Sequence, residues 1–313
     1  MDHSLNPRSP SVVSIGECMV ELARGTDKRF GLSYGGDTFN TAVYLARSGI
    51  DVRYATALGD DPYSAGVIAL AARENVRTDL ISTLPGRMPG LYLIETTGGE
   101  RTFHYWRDRA PARELFELPQ AEDIVTALTQ SGVVYFSAIT LSLYSTSGLA
   151  RFAEALQQAR TAGALIAMDG NYRPRGWPSA ERARETIARF WSLADIALPT
   201  FDDEAQLWGD VDPQTTAARL SALGIREIAV KLGGAGVLAG RAGTLMPIAP
   251  AASIEPIDTT GAGDSFNAAY LAARLRGLPI DAAAHAGNRL AGVVIRHRGA
   301  IAPKAATDAV VTF

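Results

Sequence analysis

The strongest signal in this 313-residue chain is the stretch Asp258-Thr259-Thr260-Gly261-Ala262-Gly263-Asp264-Ser265-Phe266. Its small residues run directly into an apolar helical pattern at Phe266, Ala269 and Tyr270. The backbone N–H groups at the start of a helix have no intrahelical partner, and together with the helix dipole they favour an anion. The stretch therefore predicts a helix start that binds an anionic group such as a phosphate.

Asp264 falls in the first turn of this predicted helix. Capping is a common role for an aspartate at such a position, but capping does not account for the small residues before it. A carboxylate beside an anion-binding loop can accept the proton of a hydroxyl as that hydroxyl attacks a phosphoryl group. We therefore interpret Asp264 as a general base in phosphoryl transfer.

Outward from this stretch, short β-branched runs alternate with longer amphipathic segments. Strands are predicted at 11–15, 51–57, 132–136, 164–168, 195–198 and 227–232. Helices are predicted from an N-cap at Asp37, from Asp61-Pro62, at 146–162 and 180–192, and with an end at Leu223-Gly224. This alternation predicts an α/β fold with a parallel sheet covered by helices on both faces.

Two segments interrupt the alternation. Residues 14–34 contain no good helix and read as a hairpin, and strands at 91–96 and 101–106 flank a glycine turn at 97–100. The two could pair into a small separate sheet. Such a sheet would be either a lid over a site or an edge extension of the core.

Composition excludes several classes of function. Hydrophobic residues make up 47% of the chain and charged residues 20%, and 30 basic against 33 acidic residues leave a net charge of -3, which predicts no nucleic-acid partner. The one cysteine, Cys18, cannot form an internal disulfide, and the four histidines lack metal-ligand spacing. The polar start of the chain and the absence of a long apolar run predict a soluble cytoplasmic protein without a membrane partner.

A second glycine-rich stretch, Lys231-Leu232-Gly233-Gly234-Ala235-Gly236, follows the predicted strand at 227–232. Its match to the dinucleotide fingerprint is weak, because 237–240 and 244–248 read as a strand hairpin where that fingerprint needs a helix. A nicotinamide oxidoreductase is excluded on this ground. The chain also lacks a P-loop motif, but this strand end remains a reasonable place for nucleotide phosphates or ribose.

Two further groups of residues have both a functional and a structural interpretation. Gly35-Gly36-Asp37 begins a helix, either as a site for ligand hydroxyls or as an ordinary cap after a glycine turn. Arg101, Arg107, Arg109 and Arg113 lie around the second hairpin, and Asn171-Tyr172-Arg173-Pro174-Arg175 follows a predicted strand end at Asp169. These arginines are either a solvated face or forks for a carboxylate or phosphate.

These residues together resemble the PfkB (ribokinase-like) carbohydrate kinases. Asp258 to Phe266 resembles the C-terminal signature of that family, Gly35-Gly36 resembles its sugar-binding glycine pair, and the likeness runs from 15–17 to 299–300. The branch that is most similar phosphorylates a sugar acid, 2-keto-3-deoxygluconate, on its 6-hydroxyl. The segments that point to this branch are Gly16-Glu17-Cys18-Met19, Pro89-Gly90-Leu91-Tyr92, Gly99-Glu100-Arg101-Thr102-Phe103, Tyr105-Trp106-Arg107, Asn171-Tyr172-Arg173-Pro174-Arg175 and Arg298-Gly299-Ala300-Ile301.

The resemblance implies one kinase domain over 1–313: a ribokinase-like αβα core with a mostly parallel central sheet and a small β-sheet lid built from about 16–34 and 89–107. It implies ATP and Mg²⁺ as cofactors, Asp264 as the base, and Gly261, Ala262 and Gly263 as the anion hole. A homo-oligomer is also expected, because an exposed lid sheet often pairs with another copy. The implied substrate-binding residues are Gly35, Gly36, Asp37, Tyr92, Tyr105, Arg107, Arg173 and Asp264. The implied nucleotide-binding residues are Asn171, Lys231, Gly233, Gly236, Gly261, Gly263 and Asn288.

One departure from the family pattern concerns the metal. Many members carry an Asn-x-x-Glu motif tied to magnesium and phosphate, and this chain has Thr200 and Asp203 at those two positions, with Glu204 next. Either acidic residue could assist the metal. The alternatives to a sugar-acid kinase are a kinase of a neutral sugar such as fructose, which the arginines disfavour, and a non-catalytic sensor, which an intact Asp264 disfavours.

Overall fold

The computed structural model describes residues 9–25, 27–97, 100–250 and 252–311. The strands are β1 (Ser11–Ile15), β2 (Met19–Arg24), β3 (Phe30–Gly35), β4 (Asp51–Gly59), β5 (Ile81–Leu84), β6 (Leu91–Thr97), β7 (Glu100–Trp106), β8 (Val133–Ser137), β9 (Leu165–Asp169), β10 (Ile196–Ala197), β11 (Glu227–Lys231), β12 (Val237–Arg241) and β13 (Thr244–Ile248). The α-helices are α1 (Asp37–Arg47), α2 (Pro62–Arg73), α3 (Ala121–Gln130), α4 (Ala138–Leu143), α5 (Thr146–Thr161), α6 (Ala180–Trp191), α7 (Phe201–Trp208), α8 (Pro213–Ala222), α9 (Ala262–Leu275), α10 (Ile280–Val294) and α11 (Lys304–Thr307). Short 3-10 helices cover Pro111–Glu117, Pro174–Gly176 and Gly233–Ala235.

Nine strands form a large sheet in the order β13-β12-β11-β10-β9-β8-β1-β4-β5. The seven strands from β11 to β5 are parallel, and β12 and β13 extend the sheet as an antiparallel hairpin. Alternate side chains of a strand point to opposite faces, so Val12 packs with α1 and α9 on one face while Val13 packs with α3 and α5 on the other. The predicted helix-covered parallel sheet is confirmed.

The remaining four strands form a separate small sheet in the order β3-β2-β6-β7. Each predicted hairpin is an antiparallel pair, and a parallel β2–β6 pairing joins them. The two interrupting segments therefore make one sheet, as expected. The glycines at 98–99 of the predicted turn and the polar start of the chain at 1–8 lie outside the described residues.

One local prediction was incomplete and one was wrong. The predicted helix that ends at Leu223-Gly224 is α8, but an unpredicted helix, α7, precedes it, because Gly209 ends α7 in the left-handed region at φ 77° and Asp212 caps α8 with its side chain. Asp37 is the first residue of α1 and not its cap; the cap position belongs to Gly36, and the Asp37 carboxylate accepts a hydrogen bond from Asn171.

The parallel strands bring their carboxyl ends to one edge of the large sheet, where α/β proteins bind ligands. β9 ends at Asp169, the loop after β10 leads into α7, and β11 ends at Lys231. No helix of the described residues is both long and apolar enough to cross a membrane.

Candidate active site

The start of α9 forms one wall of the site. Gly261 occupies its N-cap position at φ 76°, a conformation that favours glycine, and a β-carbon there would lie 2.6 Å from the carbonyl oxygen of Ala300. Ser265 donates its N–H to Gly261, whereas Gly263 and Asp264 precede the first intrahelical bond. Their N–H groups therefore have no intrahelical acceptor, which is the arrangement that an anion hole needs.

Asp258 fixes the loop before this helix. One of its carboxylate oxygens accepts the N–H of Thr260 at 2.9 Å, and the other accepts the N–H of Gly299 at 2.7 Å. The first aspartate of the signature thus has a structural role, because it joins the anion loop to the segment that packs behind Gly261.

Asp264 accepts a hydrogen bond from the side-chain amide of Asn40 at 2.8 Å, and its carbonyl accepts the hydroxyl of Thr41 at 3.2 Å. Burial, and next the negative charge of Asp37, raise the pKa of Asp264 to about 7. The carboxyl group is therefore held by a donor from α1 and titrates near neutral pH, which suits a general base.

Lys231 lies at the centre of a buried polar network at the end of β11. Its Nζ donates to Asp169 at 3.0 Å and to the side-chain oxygen of Asn267 at 3.0 Å. Asn267 also donates to Asp169 at 2.7 Å. Asn267 follows Asp264 by three residues and so shares its helix face, a spacing from which the sequence could have revealed its part in the site.

Asp37 connects this network to the sugar side. Its carboxylate accepts the side-chain amide of Asn171 at 2.7 Å, while the N–H of Asn171 donates to Asp169 at 3.2 Å. Asn171, which the resemblance implies for nucleotide binding, therefore bridges the two halves of the site. Burial raises the pKa of Asp37.

A cleft of about 1350 Å³ lies between the small sheet, the start of α1 and the segment after β9. Its lining includes five arginines and three carboxylates; the arginines are Arg107, Arg113, Arg173, Arg175 and Arg182, and the carboxylates are Glu17, Asp37 and Asp108. Positive charge therefore dominates the cleft wall, and the wall suits a ligand that carries a carboxylate or phosphate.

Arg107 is already paired with a carboxylate. Its Nη2 lies 2.5 Å from Oε2 of Glu17, whose side chain is 2% exposed. Burial raises the pKa of Glu17, and the charge of Arg107 and its contact with the carboxylate act against that rise. Glu17 is one of the residues that carry the family resemblance, and the structure adds it to the site as the partner of Arg107.

Two tyrosines of the small sheet face the cleft side. Tyr92 is buried and donates its hydroxyl to Glu21, which also accepts the hydroxyl of Ser33 at 2.8 Å. Tyr105 is 44% exposed, its ring centre lies 5.9 Å from that of Tyr92, and the Arg107 guanidinium lies 6.0 Å from the Tyr105 ring centre. Sequence analysis did not assign Glu21, which fixes the Tyr92 hydroxyl.

The glycine pair at the end of β3 is explained by close packing. A β-carbon on Gly36 would lie 2.0 Å from the carbonyl oxygen of Glu17, and one on Gly35 would lie 2.8 Å from the hydroxyl of Tyr92. Gly36 therefore needs to be glycine for the small sheet to approach the start of α1, whether or not a ligand is bound, whereas a β-carbon at Gly35 would meet only the end of the Tyr92 side chain.

Arg173 and the two acidic residues of α7 are also paired. Nη1 of Arg173 donates to Oδ1 of Asp203 at 2.8 Å. Glu204 is buried, with its Oε2 2.7 Å from Nη2 of Arg219, and burial raises its pKa to about 7. Of the two acidic residues, Asp203 pairs with a cleft arginine, while Glu204 pairs with Arg219 through one oxygen and places the other against Gly170.

The glycines after β11 differ in how much space surrounds their backbone. Gly233 adopts φ 56° and has no atom within 4 Å of an added β-carbon, whereas a β-carbon on Gly236 would lie 2.2 Å from the carbonyl oxygen of Ile248. Asn288 of α10 donates to the carbonyl of Ala249 at 3.0 Å, beside Gly236. The predicted nucleotide-binding residues therefore fall into two groups, Lys231 with Gly263 in one and Gly236 with Asn288 in the other.

Comparisons with known proteins show which family and which solved structures this chain resembles. Residues 9–307 match the model of the pfkB family carbohydrate kinases. The 2-dehydro-3-deoxygluconokinase of Dickeya dadantii is 41% identical over 308 residues, which cover 96% of this chain and 99% of that protein. The 2-dehydro-3-deoxygluconokinase structure from Thermotoga maritima aligns with a TM-score of 0.84 at 22% identity, over 96% of this chain and 99% of that one.

A further structure, a putative ribokinase II from E. coli in complex with ATP and Mg²⁺, aligns with a TM-score of 0.82 at 21% identity and covers 96% of this chain and 98% of that one. These two structures share the fold of this chain. The match of the family model to nearly the whole sequence, with a relative at 41% identity, settles the assignment. This chain belongs to the pfkB family of carbohydrate kinases.

Proposed function

We propose that this chain is an ATP-dependent kinase of the sugar acid 2-dehydro-3-deoxygluconate, also called 2-keto-3-deoxygluconate, and that it forms the 6-phospho product. The observation that carries the proposal is a cleft lined by Arg107, Arg173 and Asp37. Asp37 is close enough to Asp264 for its negative charge to raise the pKa of that carboxyl group. The 41% identity to a 2-dehydro-3-deoxygluconokinase over nearly the whole chain supports it. The proposal places the protein in the cytoplasm as a single kinase domain without a nucleic-acid or membrane partner.

In this proposal Asp264 accepts the proton of the substrate hydroxyl. The amide of Asn40 orients its carboxylate, and a pKa near 7 lets it be ionised at neutral pH while still basic enough to take the proton. The N–H groups of Gly263 and Asp264 stabilise the charge that develops on the transferred group, since they are fixed before the reaction begins.

The residues present fit a nucleotide polyphosphate with its metal ion. The backbone at Gly233 is open, and the Lys231 ammonium lies beside Gly263 at the start of α9. When bound, ATP supplies the phosphoryl group and Mg²⁺ offsets the negative charge of its phosphates.

In this proposal the protein itself contributes few ligands to the metal ion. Among the described residues no three His, Cys, Asp or Glu side chains gather as a metal site, and Mg²⁺ is commonly bound by one or two carboxylates with phosphates and water. Asp203 is the acidic residue that we assign to assist it, because Glu204 is buried against Arg219.

On the sugar side, Arg107 and Arg173 bind the acid group, and Asp37, Tyr92 and Tyr105 contact the rest of the substrate. A neutral sugar such as fructose would offer these cations no carboxylate beyond those of Glu17 and Asp203. The acid therefore uses the cleft charge better than the neutral sugar does.

The test is to measure ATP consumption by the purified protein with Mg²⁺ on 2-dehydro-3-deoxygluconate, on fructose and without sugar. We expect turnover on the acid to exceed turnover on fructose clearly, with the phosphate found on C6 of the product by NMR. Equal or faster turnover on fructose would overturn the acid assignment, and no turnover on either would overturn the kinase assignment.

A further inference from the structure

One ion pair lies between the two halves of the site. Arg173 follows β9, and Asp203 lies in the first turn of α7, which follows β10. Because β9 and β10 are adjacent parallel strands, these two segments meet at the same edge of the large sheet. Nη1 of Arg173 lies 2.8 Å from Oδ1 of Asp203 and also donates to the carbonyl of Tyr172 at 2.7 Å.

The two members of the pair face different ligands. Arg173 lines the cleft, and its side chain is 55% exposed, so a substrate carboxylate can reach it. The side chain of Asp203 is 15% exposed, and α7 begins beside Lys231, whose N–H donates to the carbonyl of Pro199 at 2.8 Å. Asp203 therefore belongs to the phosphate side of the site.

A substrate carboxylate and Asp203 compete for the same guanidinium. The pair with Asp203 uses one donor, Nη1, so a substrate carboxylate that binds in the preferred two-bond geometry through the Nη1–Nη2 edge must take Nη1 from Asp203. A second carboxylate brought to Arg173 is also repelled by the first. A sugar acid that binds Arg173 therefore weakens the Arg173–Asp203 pair, and an Asp203 carboxylate without its counterion then favours a cation on the phosphate side.

We infer that Arg173 is shared between Asp203 and the substrate carboxylate, so that binding of the sugar acid frees Asp203 for the metal–nucleotide complex and the two substrates bind with positive cooperativity. This inference rests on the proposed function and adds a coupling within the same site. Because coupling is reciprocal, the nucleotide complex tightens binding of the acid by the same factor.

The first experiment needs neither nucleotide nor metal. Calorimetry measures the affinity of 2-dehydro-3-deoxygluconate for the wild type, for Asp203→Asn and for Asp202→Asn. We expect Asp203→Asn to bind the acid about two- to five-fold more tightly, the range of a partly exposed ion pair that no longer competes. Asp202→Asn is the matched control, since it removes the same charge from the same turn at an exposed side chain without a recorded contact to Arg173.

A double substitution distinguishes competition for Arg173 from the general effect of removing a negative charge near the cleft. In an Arg173→Met background, Asp203→Asn has no pair to break, so we expect the acid affinity to be the same with and without it. An equal tightening in that background, or no tightening in the wild-type background, would overturn the inference. Thermal melting of each variant checks that it is folded.

The second experiment measures the coupling directly. The affinity of Mg²⁺ with a non-hydrolysable ATP analogue is determined with and without saturating acid. We expect the acid to tighten binding in the wild type and in Asp202→Asn but not in Asp203→Asn or Arg173→Met. Wild type that phosphorylates the acid without this coupling refutes the inference alone, whereas wild type that neither binds nor phosphorylates it refutes the proposed function as well.

Discussion

The large sheet and the small sheet both border the cleft, and they contribute to it differently. At the edge of the large sheet, Asp169, Lys231 and Asn267 are buried and bonded to one another. On the small sheet, Tyr105 lines the cleft and is 44% exposed. One region is fixed before any ligand arrives, while the other leaves side chains open to contact one.

This difference separates chemistry from substrate selection. Groups fixed in advance stabilise a transition state without reorganising when it forms, so changes at the edge of the large sheet should lower kcat. Exposed groups around the small sheet contribute mainly to ligand binding, so changes there should raise KM. Substitutions in the two regions test this division.

The largest expected effect is on the side of the large sheet. Asp264→Ala should lower kcat about 10²- to 10⁴-fold, as for removal of a general base, with substrate affinity much less affected. Steady-state kinetics on 2-dehydro-3-deoxygluconate measure both. Asp281→Asn, an exposed acidic residue in the first turn of α10, is the control and should leave kcat unchanged. Near-normal turnover of Asp264→Ala would exclude Asp264 as the base.

The next effect concerns the cleft cation after the small sheet. Arg107→Ala should raise KM for the sugar acid about 10- to 100-fold, the range expected for loss of a hydrogen bond to a charged group, while KM for a neutral sugar changes little. Arg109→Ala, an exposed arginine two residues on, is the control. An unchanged KM for the acid would show that Arg107 does not bind it.

This substitution also leaves Glu17 buried without its counterion, which destabilises the protein. Arg107→Lys keeps the charge and loses only the fork geometry, so its KM should lie between those of the wild type and Arg107→Ala. Thermal melting of both variants distinguishes lost binding from lost folding.

The sequence predicted the parts of the site that are local in the chain. The anion loop and Asp264 lie within nine residues, and each strand end is marked by its own apolar run. The partners of the arginines were not predictable in this way, because Glu17 and Arg107 are 90 positions apart and meet only when β2 pairs with β6. Sequence analysis therefore left Arg107 and Arg173 as either solvated side chains or forks for a ligand, whereas both are paired with carboxylates of this chain.

A smaller effect is a shift in pH dependence. Asp264 must be ionised to accept a proton, and its pKa is raised to about 7, so kcat/KM should fall as the pH drops below about 7. Asn40→Ala removes the hydrogen bond that lowers this pKa, and the acidic limb should move to higher pH. Asp37→Asn removes the like charge that raises it, and the limb should move to lower pH.

The two variants should move the acidic limb in opposite directions, and this makes the prediction specific to Asp264. Asp169 also raises the pKa of Asp264 and Lys231 lowers it, and both residues remain in each variant. Profiles of kcat/KM over about pH 5 to 9 report the position of the limb in the free enzyme. Shifts of both variants in the same direction would mean that the limb belongs to another group.

The smallest effect on the folded chain should come from the outer face of the small sheet. Strand pairing puts Leu22, Leu32 and Leu93 on one face with Trp106, and Leu32 is 50% exposed. An exposed apolar face of this kind marks a contact surface, and we propose that a second copy of the chain covers it.

Leu32→Ser with Trp106→Ser should lower the mass seen by light scattering to that of one chain, while the free energy of unfolding of the monomer changes by less than about 0.5 kcal/mol. Val211→Ser, at an exposed side chain elsewhere, should leave the assembly intact. A wild type that is already monomeric, or a double variant that keeps the wild-type mass, would show that this face does not join copies.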